Sequence, residues 1–340
     1  MMRRTTSLFV SALLLLAACG EEPSYERGMA AFEKGDYAAA IEAWRPLVET
    51  GDARAQHRLA HMLLEGKGVR RNLREGVKLE RQAAAQGYAE AEYGLAQLYA
   101  KGRGVKRDPR QAARFMGRAA DRGHAQAQLE FAAMLMAGKG IGRDTARAAA
   151  SYRKLAEAGN REAQFWLGHL HAEGLGVSWD DSAAASWYGK AAEQGHPRAQ
   201  YALARLTETG KGTAKDIPQA VAWYKKAADQ GHVGAQFRLG AIYGNGLGVA
   251  KDGAAAVAWY RKAAQKDHPG AQAALGRHYA RGEGLAKDLV QAYVWFSLAR
   301  NNGETSGAEE QDAIRKQMSP DELTKAQALT WQWLQRSKTD

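Results

Sequence analysis

The chain of 340 residues has one cysteine, Cys19, and no second with which it could pair. A fold braced by intramolecular disulfides is excluded, so stability must come from packing. Long apolar runs are equally scarce. The one membrane-like stretch, Leu8 to Ala18, is too short to span a bilayer. Hydrophobic residues make up 45% and charged residues 25%, which excludes a disordered or membrane-embedded chain. This length usually means two or three domains, unless the chain is a repeat array, which grows without a single core.

At the N-terminus, Arg3 and Arg4 precede the apolar stretch, the pattern of a secretory signal. Leu16-Ala17-Ala18-Cys19 resembles a bacterial lipobox. That resemblance implies a signal peptide of residues 1–18, cleavage before Cys19, lipidation of its thiol and amino group, and a short tether over 19–24. Several acyl chains on one residue make a stable membrane anchor. Gly20 and Glu21 follow, without the Asp that retains such proteins at the inner membrane. The expected location is the outer membrane, facing the periplasm.

From residue 51 onward a period of 36 residues holds without one insertion. Glycine pairs recur from Gly66/Gly68 to Gly282/Gly284, single glycines from Gly51 to Gly231, and Asn72 is followed at the same interval by Asp108 and so on to Asp288. Asp267 and Gly303 continue the single-glycine series. In AQFRLGAIY, Ala235, Leu239 and Tyr243 fall on one face of a helix. In AVAWYKKAAD, Ala220, Trp223 or Tyr224, and Ala227 do the same. The Gly-x-Gly loop ends the first helix through positive φ, and the Asp or Asn caps the second. Glu75, Gln111, Gln219 and Gln291, three residues after their caps, are expected to complete capping boxes. The unit is a helical hairpin.

Ala227-Ala228-Asp229-Gln230-Gly231-His232, then Ala235-Gln236 and Leu239-Gly240, closed by Gly246-Leu247-Gly248-Val249, resemble Sel1-like repeats, relatives of tetratricopeptide repeats. The resemblance implies an all-α, right-handed superhelical solenoid of stacked helix-turn-helix repeats, seven of them over residues 51–303. Residues 25–50, with GDYAAAIEAW, resemble a tetratricopeptide-style capping hairpin. Residues 304–340 are expected to cap the other end, with Ser319, Pro320 and Glu322 starting a helix whose Trp331, Trp333 and Leu334 cover the stack.

Several tempting motifs dissolve under the period. Gly244-Asn245-Gly246-Leu247-Gly248 follows a helix rather than the strand a nucleotide loop needs. Ser151-Tyr152-Arg153-Lys154 matches the Ser-x-x-Lys of penicillin-binding enzymes, but Lys154 belongs to the repeat and Ser151 occupies the position of Trp187, Trp223, Trp259 and Trp295, expected to face the interior. His124, His196, His232 and His268 share one structural position. His57, His61 and Glu65 lie on one helical face like zinc ligands, yet Arg58 stands where a zinc-protease motif needs Glu. No catalytic residue, metal site or cofactor is expected.

Removal of residues 1–18 takes Arg3 and Arg4 with it and lowers the formal charge of +11 to +9. Much of this charge recurs on the second helices (Lys154, Lys190, Lys226, Lys262), a solvated face or a site for a polyanion. The compartment excludes nucleic acid, which leaves acidic polysaccharide, cell wall or acidic protein. First helices of such solenoids line a concave groove. Two of its rows supply the candidate partner-binding residues: His61, Gln97, His169, Arg205 and Arg277 from a polar, variable row, and His57, Tyr93, Phe165, Tyr201 and Phe237 from a row that is aromatic in four units of seven. The resemblance points to a non-enzymatic scaffold for another envelope protein. Direct glycan or peptidoglycan binding is the alternative, and a cell-wall or β-lactam hydrolase is suggested only by cysteine-rich relatives whose disulfides are missing here.

Overall fold

A computed structural model describes residues 24–336, which form eighteen helices and no strand among the described residues. Cys19 and the signal segment lie outside the described residues. The chain divides into two compact units, one running to Phe131 with Lys139–Ile141, the other comprising Ala132–Gly138 and everything from Gly142 on.

The first unit opens with α1 (Tyr25–Glu33) and α2 (Tyr37–Glu49), and continues with α3 (Ala53–Glu65), α4 (Leu73–Ala85), α5 (Ala89–Lys101) and α6 (Pro109–Asp121). The division falls within α7 (Ala125–Ala137). The second unit continues through α8 (Thr145–Glu157), α9 (Arg161–Glu173), α10 (Asp181–Glu193), α11 (Pro197–Thr209), α12 (Ile217–Asp229), α13 (Val233–Asn245), α14 (Gly253–Ala264), α15 (Pro269–Arg281) and α16 (Leu289–Asn301). It ends with α17 (Ala308–Arg315) and α18 (Pro320–Arg336). Within each unit, successive helices pack antiparallel-hairpin fashion, α3 on α4 and α13 on α14, and each hairpin stacks on the next.

Between helices of one repeat, the two loop glycines have different duties. Gly210 caps α11 at φ 75°, in the left-handed region that a Cβ disfavours. Gly212, at φ 68°, lies against the preceding repeat, where a Cβ would meet the Asp181 carbonyl oxygen at 2.0 Å. The first glycine ends a helix and the second permits stacking. The single-glycine series also takes positive φ, and Asp267 adopts it too, at φ 58°.

Asp216 then caps α12, accepting from the Gln219 amide at 2.9 Å. The expected capping boxes are half right. Among the described residues no return bond from a Glu or Gln side chain is made at Asn72, Asp108, Asp216 or Asp288, because each cap's own N–H donates to the preceding helix (Asp216 N to Thr207 O, 3.0 Å). A reciprocal box forms only at α18, where Ser319 N donates to Glu322 Oε2 at 2.8 Å and Glu322 N to Ser319 Oγ at 3.2 Å.

The core resolves the Trp/Tyr ambiguity in favour of tyrosine. Tyr152, Tyr188, Tyr224, Tyr260 and Phe296 are buried one per repeat, against alanines and leucines such as Ala227, Ala235 and Leu239. Full burial of a leucine or phenylalanine is worth ~1.5–3 kcal/mol over exposure. The tryptophans one residue earlier lie on the flank, where Trp187, Trp223 and Trp259 are half-buried. Lys190, Lys226 and Lys262 rest their ammonium groups 3.9, 4.0 and 4.0 Å from those ring centroids. One turn of helix brings Lys over Trp, so the cation–π pair is local. Ser151, at the tryptophan position, is therefore on the flank and not inside, with its hydroxyl donating to Arg147 O at 3.0 Å.

In five of the seven repeats a buried glutamine occupies one first-helix position, and it ties hairpin to hairpin. Gln200 Nε2 donates to Ala192 O at 3.1 Å, and Gln200 Oε1 accepts from Gln230 Nε2 at 2.8 Å. Gln164 repeats both bonds, with Ala156 and Gln194. At the C-terminus, Trp333 packs on Trp295 with centroids 5.4 Å apart, and Leu334 joins the same cluster. Trp331 does not cover the stack as expected. It is 63% exposed, since the packed face of α18 runs through Ala326, Leu329 and Trp333 and residue 331 points away from it.

Candidate functional site

Two clefts gather the candidate residues, one in each unit. The cleft of the first unit encloses about 270 Å³ and brings together His57, His61, Tyr93 and Gln97 from α3 and α5. Arg58, Glu65, Glu80, Glu90, Lys101, Arg103 and His124 complete its polar lining. Charges of both signs and an aromatic ring share one small concavity.

Among its lining is a hydrogen-bonded histidine–glutamate pair. His57 Nδ1 lies 3.1 Å from both carboxylate oxygens of Glu80, a residue the sequence reading had missed. Glu80 occupies the column that later repeats fill with Tyr152 to Phe296, and comparison at the 36-residue interval is the signal that marks it. Burial pushes the Glu80 carboxyl above its ordinary pKa, while the bond to His57 pulls it back. His57 is thus held inward rather than offered to a partner, its side chain 12% exposed.

Nearer the mouth, His61 Nε2 lies 3.4 Å from Glu65 Oε1. Burial lowers the His61 pKa against the pull of Glu65. Lys67 contacts Glu65 at 2.6 Å and holds that carboxyl below its usual range. Tyr93 donates its hydroxyl to Glu130 at 2.7 Å, and burial with that carboxylate raises its pKa to about 12. The lining holds no serine, threonine or cysteine, and among the described residues no group of three His, Cys, Asp or Glu could hold a metal ion. Its polar groups offer charge and hydrogen bonds to whatever enters the cleft.

The aromatic row has a packing task. Tyr93 stacks on His124 at 4.4 Å, Phe165 on His196 at 4.8 Å, Tyr201 on His232 at 4.5 Å and Phe237 on His268 at 4.5 Å. Each histidine caps the next helix by accepting from a backbone amide through Nδ1, as His232 does from Ala235 N at 3.2 Å. Tyr93, Phe165, Tyr201 and Phe237 are thus joints between repeats. Arg277 also departs from expectation. Expected as a groove residue free to meet a partner, it donates to Glu310 Oε1 at 2.9 Å and to Ser306 O at 2.8 Å, tying α15 to the start of α17. His169 packs edge-on to Trp166 at 5.7 Å and lines neither cleft.

Tyr201 and Arg205 meet in the second unit's cleft, also about 270 Å³. Here the surprise is Trp179, 67% exposed, which lines the cleft with Glu173, Asp181, Thr209 and Lys211. Among the described residues no helix is long and apolar enough to cross a membrane.

The Sel1 repeat profile matches seven consecutive segments, 53–88, 89–124, 125–160, 161–196, 197–232, 233–268 and 269–304. The chain belongs to the Sel1 repeat family, whose fold is a general protein–protein interaction scaffold and is typically non-catalytic. It is 32% identical to a Sel1 repeat protein from Oxalobacter formigenes, with a TM-score of 0.72 over 85% of this chain and 86% of that one. A protective antigen of uropathogenic Escherichia coli strains with an SLR fold is 29% identical over 92% of this chain and 83% of its own, at a TM-score of 0.47. An immunity protein from Pseudomonas aeruginosa is 21% identical, covering 63% of this chain and 81% of that one, at 0.41. No curated protein matches the chain.

Proposed function

We propose that this chain is a lipid-anchored scaffold of the cell envelope that holds a protein partner in the cleft of its first unit. The observation that carries the reading is convergence. Two first-helix positions expected from their polarity and variability, His61 and Gln97, line one concavity together with His57 and Tyr93 of the aromatic row, in a fold built for binding proteins. Arg58, Lys101 and Arg103 share its lining with Glu65 and Glu90, a mixed-charge surface suited to orienting a polar segment of a partner. The anchor rests on the lipobox at Cys19, and placement at the outer membrane on the residues that follow it.

The test is affinity capture from detergent-solubilised envelope, comparing the natural chain with His61→Glu combined with Gln97→Glu. Neither side chain is buried, so the fold should persist. A stoichiometric protein partner should be captured by the natural chain and released by the variant. Capture that is indifferent to the variant, or retention only on cell-wall sacculi, would sink the reading. For the anchor, Cys19→Ala should free the protein from the membrane fraction or leave its signal uncleaved; unchanged fractionation and processing would refute lipidation.

A further inference from the structure

The residue just before the second-helix cap is Arg71, Arg107, Arg143, Lys215, Lys251 or Lys287 in six repeats, and Trp179 in the seventh. All seven occupy one structural place. In each repeat a Cβ added to the first loop glycine would meet this residue's Cβ at 3.1 to 3.3 Å. Six loops therefore present a cation to solvent, and one presents an indole that is 67% exposed. No packing demand accounts for the exchange, because that place tolerates a solvated lysine elsewhere.

Beside Trp179 the cleft continues over Ala172, Ala202 and Leu206 and the half-buried ring of Tyr201, giving a flat apolar strip. Four charged groups rim it: Glu173 and Asp181 on one side of the sequence gap, Arg205 and Lys211 on the other. Among the described residues none of the four side chains has a hydrogen-bond or ion-pair partner, and the two signs do not satisfy each other. Asp181 is also singular, since the same first-turn position carries Leu, Pro, Thr, Ile, Gly or Leu in the other repeats.

We propose that this cleft is a saccharide-binding subsite with Trp179 as its platform, a function independent of the partner cleft in the first unit. An indole face in water accepts the C–H face of a pyranose, and the volume suits one or two rings. Free carboxylates need donors and free guanidinium and ammonium groups need acceptors. Sugar hydroxyls supply both, side by side on one ring. A polyanion would satisfy only Arg205 and Lys211 while meeting Glu173 and Asp181 as like charges. An apolar peptide side chain would leave all four unpaired.

The experiment uses the lipid-free chain with 5-fluorotryptophan, in which the Trp179 fluorine signal is assigned by its loss in Trp179→Lys. That variant installs the residue type the other loops carry, and circular dichroism checks that it is folded. The probes are neutral glucose and N-acetylglucosamine oligosaccharides, polygalacturonate, and a mixed-sequence peptide. Neutral oligosaccharide should shift the Trp179 signal, bind at least about tenfold more weakly to Trp179→Lys and to Glu173→Gln with Arg205→Gln, and keep its affinity within about twofold at high salt. Three results overturn the proposal: no oligosaccharide moves the signal, only polygalacturonate does so and high salt abolishes it, or the peptide alone binds.

Discussion

The first repeat and the later ones solve one packing problem with opposite chemistry. In three hairpins of the second unit, the residue pair that closes the hairpin is aromatic: Phe165 with Tyr188, Tyr201 with Tyr224, Phe237 with Tyr260, at 5.7 to 5.8 Å between centroids. In the first repeat the same two positions are His57 and Glu80. The buried bracket changes in the second repeat. Where the first repeat bonds Gln56 to Gln86 and a later one Gln200 to Gln230, the second sets Glu92 against Arg122 at 3.1 Å and Arg118 at 2.5 Å. The Arg118 contact lacks hydrogen-bond alignment, so Glu92 Oε1 is held by charge alone. A buried ion pair is a poor source of stability, and a hydrophobic pair of like volume often surpasses it. What the first unit gains is a polar cleft where the second has a filled core.

The largest test removes one side of the buried charge. Arg118→Ala with Arg122→Ala leaves the fully buried Glu92 without a counterion and should cost about 3 kcal/mol of first-unit stability in urea unfolding. Adding Glu92→Gln, the residue six other repeats carry, should recover most of it. If Glu92→Gln gives no recovery, the arginines act through packing and the ionic account fails.

Next, the later pair can be grafted onto the first. His57→Phe with Glu80→Tyr should stabilise the unit by about 1–4 kcal/mol by the same reasoning. It should also alter the cleft lining and weaken partner capture. Greater stability with undiminished capture would separate the cleft from binding.

A pH comparison is smaller. Burial lowers the pKa of His232 and His268, whose Nδ1 atoms must stay unprotonated to cap their helices. The unfolded chain therefore binds more protons than the folded one as pH falls below about 6.5. The stability these caps contribute is present above that pH and is lost as pH drops through the lowered folded values. Thermal unfolding between pH 7.5 and 5 should show second-unit loss, flattened by Asn at both positions, the cap that Asn160 provides naturally.

Smallest is Asp267→Gly. Asp267 is the one non-glycine at positive φ among the described residues, and glycine should gain up to ~1 kcal/mol there. A loss would mean that the bond from Gln272 Nε2 to Asp267 Oδ1, at 3.4 Å, outweighs the backbone term.

Much of this fold was legible because its rules are local. Gly210 and Asp216 act within a few residues of themselves, and the period repeats them, with Gly212, until they stand out. The histidine caps were legible for the same reason. What escaped depends on distant partners. The anchoring of Arg277 was hidden because Glu310 lies in α17 and Ser306 just before it, both outside the repeat. Ser151 was misplaced because tryptophan suggested interior, whereas the lysine three residues on holds that column at the flank. Of the candidate site, His61, Gln97 and Arg205 could be chosen by variability, but Glu80 and Trp179 show only when each repeat is compared with its siblings.

The unbroken period makes the second unit divisible. Three joints of this unit share one form: a ring on a histidine cap, a glutamine to a carbonyl, and a bare glycine against the start of the preceding repeat's second helix. Excising residues 233–268 would join His232 to Pro269, the same dipeptide that already occurs at His196–Pro197. Gln272 would then reach Ala228 as Gln236 does now, Gly284 would settle over Ile217 as Gly248 does, and Tyr201 would keep His232. Parts that fit interchangeably can be lost or duplicated by recombination without repair elsewhere. Length is thus a quantity this chain can change in steps of 36 residues, while Trp179 and Glu80, each present once, cannot be replaced by copying a neighbour.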